Sequence, residues 1–229
     1  MIRRMQASVC IFCALLLAAC HTAAPVRPVA LPPESSGYVV QAGDTLYSIS
    51  FKRNLDYRQV ARWNGIGADF RIYVGQTLRL TPPAAGSLPE KVAGESRVPV
   101  PEPPAGVPLH WQWPAEGPVL GSVAQPTGGV GLKIGGLLQS DIRAAAAGKV
   151  VYTGSGLRAY GLLVIVKHDD TWLSAYGYNH DVVVHEGDPV QEGQVLAHMG
   201  EGVGGAPMLY FEIRSQGKPV DPIKLLPRR

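Results

Sequence analysis

Histidines are the first residues to test for chemistry, and this chain has six. A hydrolytic zinc site needs three protein ligands and an open position for a water whose pKa the metal lowers. The spacing here does not assemble one. His110, His168, His185 and His198 are scattered without a ligand partner at a useful separation, and His180 has only Tyr178 two residues before it. The stretch Met208-Leu209-Tyr210-Phe211-Glu212-Ile213-Arg214 reads as a β-strand. As a strand, it points Met208 and Tyr210 to one side and Leu209 and Phe211 to the other. A thioether and a phenol are poor zinc ligands but good contact groups, since Met adapts its shape and Tyr offers area with a polar tip.

The elements that must position these residues follow an export signal. Arg3 and Arg4 form a basic start, Ala7 to Ala19 an apolar run, and Leu17-Ala18-Ala19-Cys20 resembles a lipobox. Residues 1–20 thus read as a lipoprotein signal peptide, with Cys20 the lipidated new N-terminus. Two or more acyl chains anchor firmly where one binds marginally. His21 follows Cys20, and in the lipoproteins this segment resembles, the absence of Asp there implies sorting to the outer membrane, facing the periplasm. Cys10, Cys13 and Cys20 are the only three cysteines, so the mature chain keeps one and has no disulfide framework.

Composition excludes other classes. The 229 residues carry a net charge of +3, and losing Arg3 and Arg4 leaves 19 basic residues against 18 acidic, no general case for nucleic-acid binding. No stretch beyond the N-terminus approaches the roughly 20 apolar residues of a membrane span. The 20 prolines and 27 glycines concentrate in linkers and turns. Residues 21–36 are Ala/Pro/Val-rich and read as a flexible tether; residues 82–109 form a second, Pro-rich spacer. Arg228 and Arg229 read as a solvated basic tail.

Between the linkers, residues 37–81 follow the order strand, helix, helix, strand. Tyr38-Val39-Val40 is a short β run, Asp44 is placed as N-cap of a helix over Thr45–Arg53, and Tyr57–Trp63 forms a second helix. Asn64-Gly65 ends that helix, and Thr77–Leu80 is the second strand. The segments Tyr38 to Leu46, Trp63-Asn64-Gly65-Ile66 and Ile72 to Leu78 resemble a LysM domain. That resemblance implies binding of N-acetylglucosamine-containing glycans, here peptidoglycan, at Gly43, Asp44, Thr45, Leu46, Asn64, Gly65 and Ile66. Asp44 and Asn64 serve equally well as turn and cap residues of the fold itself.

Residues 110–229 read as short β segments between Gly-rich turns, packed as a sandwich or folded sheet. They include Lys149–Tyr152, Leu162–Lys167, Trp172–Tyr176, Val182–Val184, Gln194–Ala197 and Leu209–Arg214. The runs Ile142 to Tyr152, Tyr160 to His168, Leu173 to Tyr176, Gly193-Gln194, Met199-Gly200 and Leu209 to Arg214 resemble the LytM-type, lysostaphin-like metallopeptidase domain. The fold class is therefore α+β, a small βααβ domain plus a mainly antiparallel β domain. The resemblance also implies a zinc site, and its ligands are absent. The His and Asp of the family's pair fall at Gly129 and Lys133, its His-x-His strand reads Met208-Leu209-Tyr210, and its remaining His position is Tyr178. The expectation is no catalytic residue, no metal and no cofactor. Lys133, Tyr178, Met208 and Tyr210 form either a partner groove or packing that fills the volume a metal would take.

Lipobox, LysM unit, Pro-rich spacer and altered LytM domain together resemble the NlpD-type amidase activators of Gram-negative outer membranes. Such proteins are implied to bind peptidoglycan and to switch on a periplasmic N-acetylmuramoyl-L-alanine amidase when daughter cells part. The alternatives are a wall-binding tether without a partner and an active zinc endopeptidase. One departure stands out: all five old catalytic positions differ here.

Overall fold

The computed structural model describes residues 37–83, 109–124 and 130–229. The predicted signal segment with Cys20, the tether at 21–36, most of the Pro-rich linker and Gly129 lie outside the described residues.

The N-terminal part is assembled by local rules. Strand β1 (Gly37–Val39) pairs antiparallel with β2 (Thr77–Arg79), enclosing helices α1 (Leu46–Lys52) and α2 (Tyr57–Trp63). The cap of α1 is Thr45, one residue later than the sequence suggests. Thr45 and Ser48 exchange side-chain bonds to each other's backbone N–H at 3.0 Å, a reciprocal capping box. Asp44 is engaged elsewhere, accepting from the Tyr38 hydroxyl at 2.7 Å and the Gln41 N–H at 2.8 Å. Asp56 caps α2 through the N–H groups of Arg58 and Gln59. Val40, Leu46, Ile49, Val60, Ala61 and Leu78 form the buried centre.

The C-terminal part is one antiparallel sheet of ten strands among the described residues. They are β3 (Val119–Ala124), β4 (Val130–Gly135), β5 (Asp141–Arg143), β6 (Gly148–Gly154), β7 (Leu162–Lys167), β8 (Trp172–Val182), β9 (Pro189–Val190), β10 (Val195–Met199), β11 (Met208–Ser215) and β12 (Lys218–Val220). The main path runs β3-β4-β11-β8-β7-β6-β9; β10 joins β5 to β8, and β12 pairs with β11. Strand β8 continues well past Tyr176, through Gly177 and a polar run to Val182, where composition alone predicts an end. Val183 and Val184 fall outside it. Among the described residues no helix is long and apolar enough to cross a membrane.

Alternation along each strand makes two buried faces. Val164, Val166, Tyr176, Leu209, Phe211 and Ile213 pack on one face with Trp111. Val151, Leu163, Ile165, Leu173 and Ala175 pack on the other. Arg228 and Arg229 are exposed, as a solvated tail requires, but the Arg229 side chain is held in place. The Arg229 guanidinium lies 3.9 Å over the Trp113 ring and donates to the carbonyls of Ala115 and Gly117.

The first face also holds a buried polar relay. His168 Nδ1 meets the Ala147 carbonyl at 2.8 Å and Nε2 meets Ser174 Oγ at 2.7 Å. Ser174 in turn shares a 2.8 Å bond with the Tyr176 hydroxyl, which accepts the Ala145 N–H. A neutral ring suits these partners, one nitrogen donating and the other accepting. Burial pushes the His168 pKa from 6.5 down to about 4. Between those values the unfolded chain binds a proton that the folded chain refuses, so stability falls as pH drops through this window. The expected loss from pH 7 to pH 4 is about 3 kcal/mol from this group. Urea unfolding at stepped pH measures it, and His168→Gln should remove this part of the slope.

Candidate functional site

Strand β11 lies between β4 and β8, which sets Tyr210 directly beside Lys133 on one side and Gly177 on the other. Met208 sits opposite Gly135. Tyr178 has a left-handed backbone (φ 63), uncommon for a side chain of its size. Its ring meets the Tyr210 ring edge-on at 6.3 Å, and its hydroxyl donates to the Ala159 carbonyl at 3.2 Å. The next residue, Asn179, anchors the bend by donating to the carbonyls of Leu162 and Tyr176. The structure thus gathers the four residues predicted from the sequence at one part of the sheet.

Their exposure differs. Tyr210 is 4% exposed and Met208 8%, so both are packed in this conformation. Lys133 and Tyr178 are half-buried and reach the surface. The Tyr210 ring lies over Gly131, where any Cβ would collide with it. That glycine makes room for a ring much larger than an imidazole. Met208 is accommodated in the same way by Gly202.

The parity of β11 carries two more residues onto this face, and sequence reasoning missed both. The Tyr210 hydroxyl donates to Glu212 Oε2 at 2.6 Å, and Arg214 Nε donates to Glu212 Oε1 at 2.5 Å. Glu212 is 0% and Arg214 1% exposed. Two charges in an otherwise apolar strand, in phase with Tyr210, were the available signal. Burial raises the Tyr210 pKa far above the ordinary phenol range and the Glu212 charge raises it further, so Tyr210 remains a neutral donor. Tyr160 completes the setting, with its ring edge-on to Tyr210 at 5.3 Å.

These residues do not fit a zinc ion. The positions that would supply imidazole and carboxylate hold a thioether, two phenols and an ammonium, and the Glu212 carboxylate is already committed to Tyr210 and Arg214. Among the described residues no three His, Cys, Asp or Glu side chains are grouped to hold a metal ion.

The candidate loops of the N-terminal part use most of their side chains internally. Asn64 donates to the carbonyls of Val60 and Arg79 and accepts the Arg79 N–H at 2.6 Å, tying α2 to β2. Asp44 and Thr45 hold the turn and the cap described above, and Leu46 is buried. Gly43 and Gly65 have positive φ with open space around them, and Ile66 is half-buried. The two loops therefore offer backbone groups and an apolar edge.

Comparison with known proteins places these features. Residues 38–81 match the LysM domain and residues 127–222 match Peptidase family M23. The class is therefore a LysM unit joined to an M23-type domain. The chain is 38% identical to the Lipoprotein NlpD/LppB homolog of Pseudomonas aeruginosa, covering 90% of this chain and 82% of that protein. It is 32% identical to the Murein hydrolase activator NlpD of Escherichia coli, covering 85% of this chain and 68% of that one. Among solved structures, a zinc containing peptidase from Vibrio cholerae aligns over 48% of this chain and 38% of its own, at 21% identity and a TM-score of 0.42. The chain belongs to the NlpD family of LysM/M23 lipoproteins.

The Glu212–Arg214 pair yields a stability test. Removing one member of a buried pair leaves the other charge uncompensated, at a cost of about 3–5 kcal/mol. Arg214→Met should show that loss in chemical denaturation. Glu212→Gln combined with Arg214→Met should recover a measurable part of it. A single variant as stable as the native chain would mean that the pair is not buried in solution.

Proposed function

We propose that this chain is a lipid-anchored, non-enzymatic activator of periplasmic peptidoglycan amidases, acting in cell-wall remodelling and daughter-cell separation. The observation that carries the reading is Tyr210, a phenol bound to Glu212 and seated over Gly131 where the resemblance calls for a ligand histidine. A hydrolytic zinc site cannot form around that arrangement, whereas a contact surface can. The relatives named as murein hydrolase activators support the same conclusion.

In this reading Cys20 carries the lipid and holds the protein on the periplasmic face of the outer membrane. The LysM unit binds peptidoglycan through Gly43–Leu46 and Asn64–Ile66, with backbone groups meeting the acetamides and Ile66 covering a sugar face. The M23 domain presents Lys133 and Tyr178, backed by Met208 and Tyr210, to an N-acetylmuramoyl-L-alanine amidase. No cofactor and no nucleic acid takes part.

Dye release from labelled peptidoglycan tests the proposal, using the mature chain without lipid, alone, with zinc, and with each periplasmic amidase of its host. Release only in the presence of an amidase is the expected result, and it also names the partner. Release by the chain alone, abolished by a chelator, would overturn the non-enzymatic reading. Absence of release in every mixture would leave a wall-binding tether. Within an active pair, Lys133→Glu should cut stimulation about tenfold by reversing a charge at the contact rim, with peptidoglycan pull-down unchanged.

A further inference from the structure

The second face of the M23 sheet is not open. Val151, Tyr152, Leu163, Ile165, Leu173 and Ala175 belong to one continuous buried cluster with Leu46, Ile49, Phe51 and Leu78 of the LysM unit. The centre of this junction is Phe51, in the last turn of α1 and 2% exposed. Its ring lies 3.4 Å beneath the Arg214 guanidinium and meets the Tyr160 ring edge-on at 5.4 Å. Its carbonyl accepts Arg214 Nη1 at 2.7 Å. Nearby, Lys218 Nζ donates to the Asn54 carbonyl, and the backbone of Leu55 and Asp56 presses on Gly217 where no Cβ could fit. A line of contact therefore runs from Phe51 through Tyr160 to Tyr210.

The junction is imperfectly sealed. Among the described residues, Asn54 Oδ1 and Tyr57 Oη are buried without a hydrogen-bond partner. Asn54 Oδ1 belongs to a residue that bridges the two parts, and Tyr57 Oη to the residue following the Leu55–Asp56 segment. A permanent core satisfies such atoms, because each lost its water on burial. Here they make the docked state costlier than a fully paired core.

We propose that the LysM unit is a releasable latch on the M23 domain. Docked through Phe51, it holds Tyr160 against Tyr210 and keeps Tyr210 packed. Released, it frees Tyr160 and uncovers Tyr210 and the apolar sheet face for the partner. This gating role rests on the activator reading above, whereas the latch itself is a property of the free chain.

The test uses spin labels on the mature chain at Arg62→Cys and Lys224→Cys, both exposed, with interspin distances measured by pulsed dipolar spectroscopy. The native background should give one narrow docked distance. Tyr160→Ala removes the ring between Phe51 and Tyr210 without touching the LysM core, and should broaden the distribution. Tyr160→Phe keeps the ring, loses only the hydroxyl's bond to Arg214, and should largely restore the narrow distance. Phe51→Ala serves as a second opener if its LysM unit still binds peptidoglycan. In dye release with an amidase, Tyr160→Ala should stimulate about fivefold more than the native chain. An unchanged distance in Tyr160→Ala would overturn the latch, whatever the amidase does. A broadened distance without added stimulation, where the native chain does stimulate, would overturn its gating role. Stimulation by no form of the chain would fail the activator reading alone, and the latch would stand or fall on the distances.

Discussion

The buried pair of Glu212 and Arg214 is the constraint around which both parts of the molecule are arranged. A carboxylate without solvent needs donors on each oxygen, and it receives them from Tyr210 on one side and Arg214 on the other. All three residues lie on the same face of β11 because their spacing is two. Arg214 then has a further nitrogen to satisfy, and the acceptor is the carbonyl of Phe51. A charge buried in the sheet thus specifies where the LysM unit must sit.

The same chain of dependence explains how three tyrosines are fitted between the strands of this sheet. The Tyr210 ring is large, and Gly131 on the neighbouring strand gives it space. The hydroxyl needs an acceptor, and Glu212 supplies one. Tyr178 takes a left-handed conformation, held by the two bonds of Asn179 immediately after it. Each demand is met by a nearby residue. The result is a packed aromatic group of Tyr160, Tyr178 and Tyr210.

Local features of this fold were legible in the sequence, and long-range ones were not. The LysM order and α2 emerge from periodicity and caps, and α1 differs by one residue because Thr45 and Ser48 outcompete Asp44 for the cap. Strands β7 and β11 emerge from β-branched and aromatic runs. Strands β3, β4, β5, β9 and β12 do not, since they are short or interrupted by Gly, Pro and charge, and tertiary pairing alone makes them strands. The four groove residues could be placed on one face from parity and resemblance, but the burial of Tyr210 and Met208 could not, because it depends on Gly131 of β4 and on Gly202 of the loop before β11. Phe51 and Arg214 stand 163 residues apart, and no local pattern announces their contact.

An apolar pair of similar volume would seal this face at lower electrostatic cost than Glu212 and Arg214. What an apolar pair cannot do is choose among orientations. Hydrophobic contact between the LysM unit and the sheet is non-directional and tolerates sliding. A guanidinium that must meet the Glu212 carboxylate, the Phe51 ring and the Phe51 carbonyl together permits one position. Directional bonds also fail together when the geometry is lost, which a greasy contact does not. A junction of this construction favours two discrete arrangements, docked or apart, over a continuum between them.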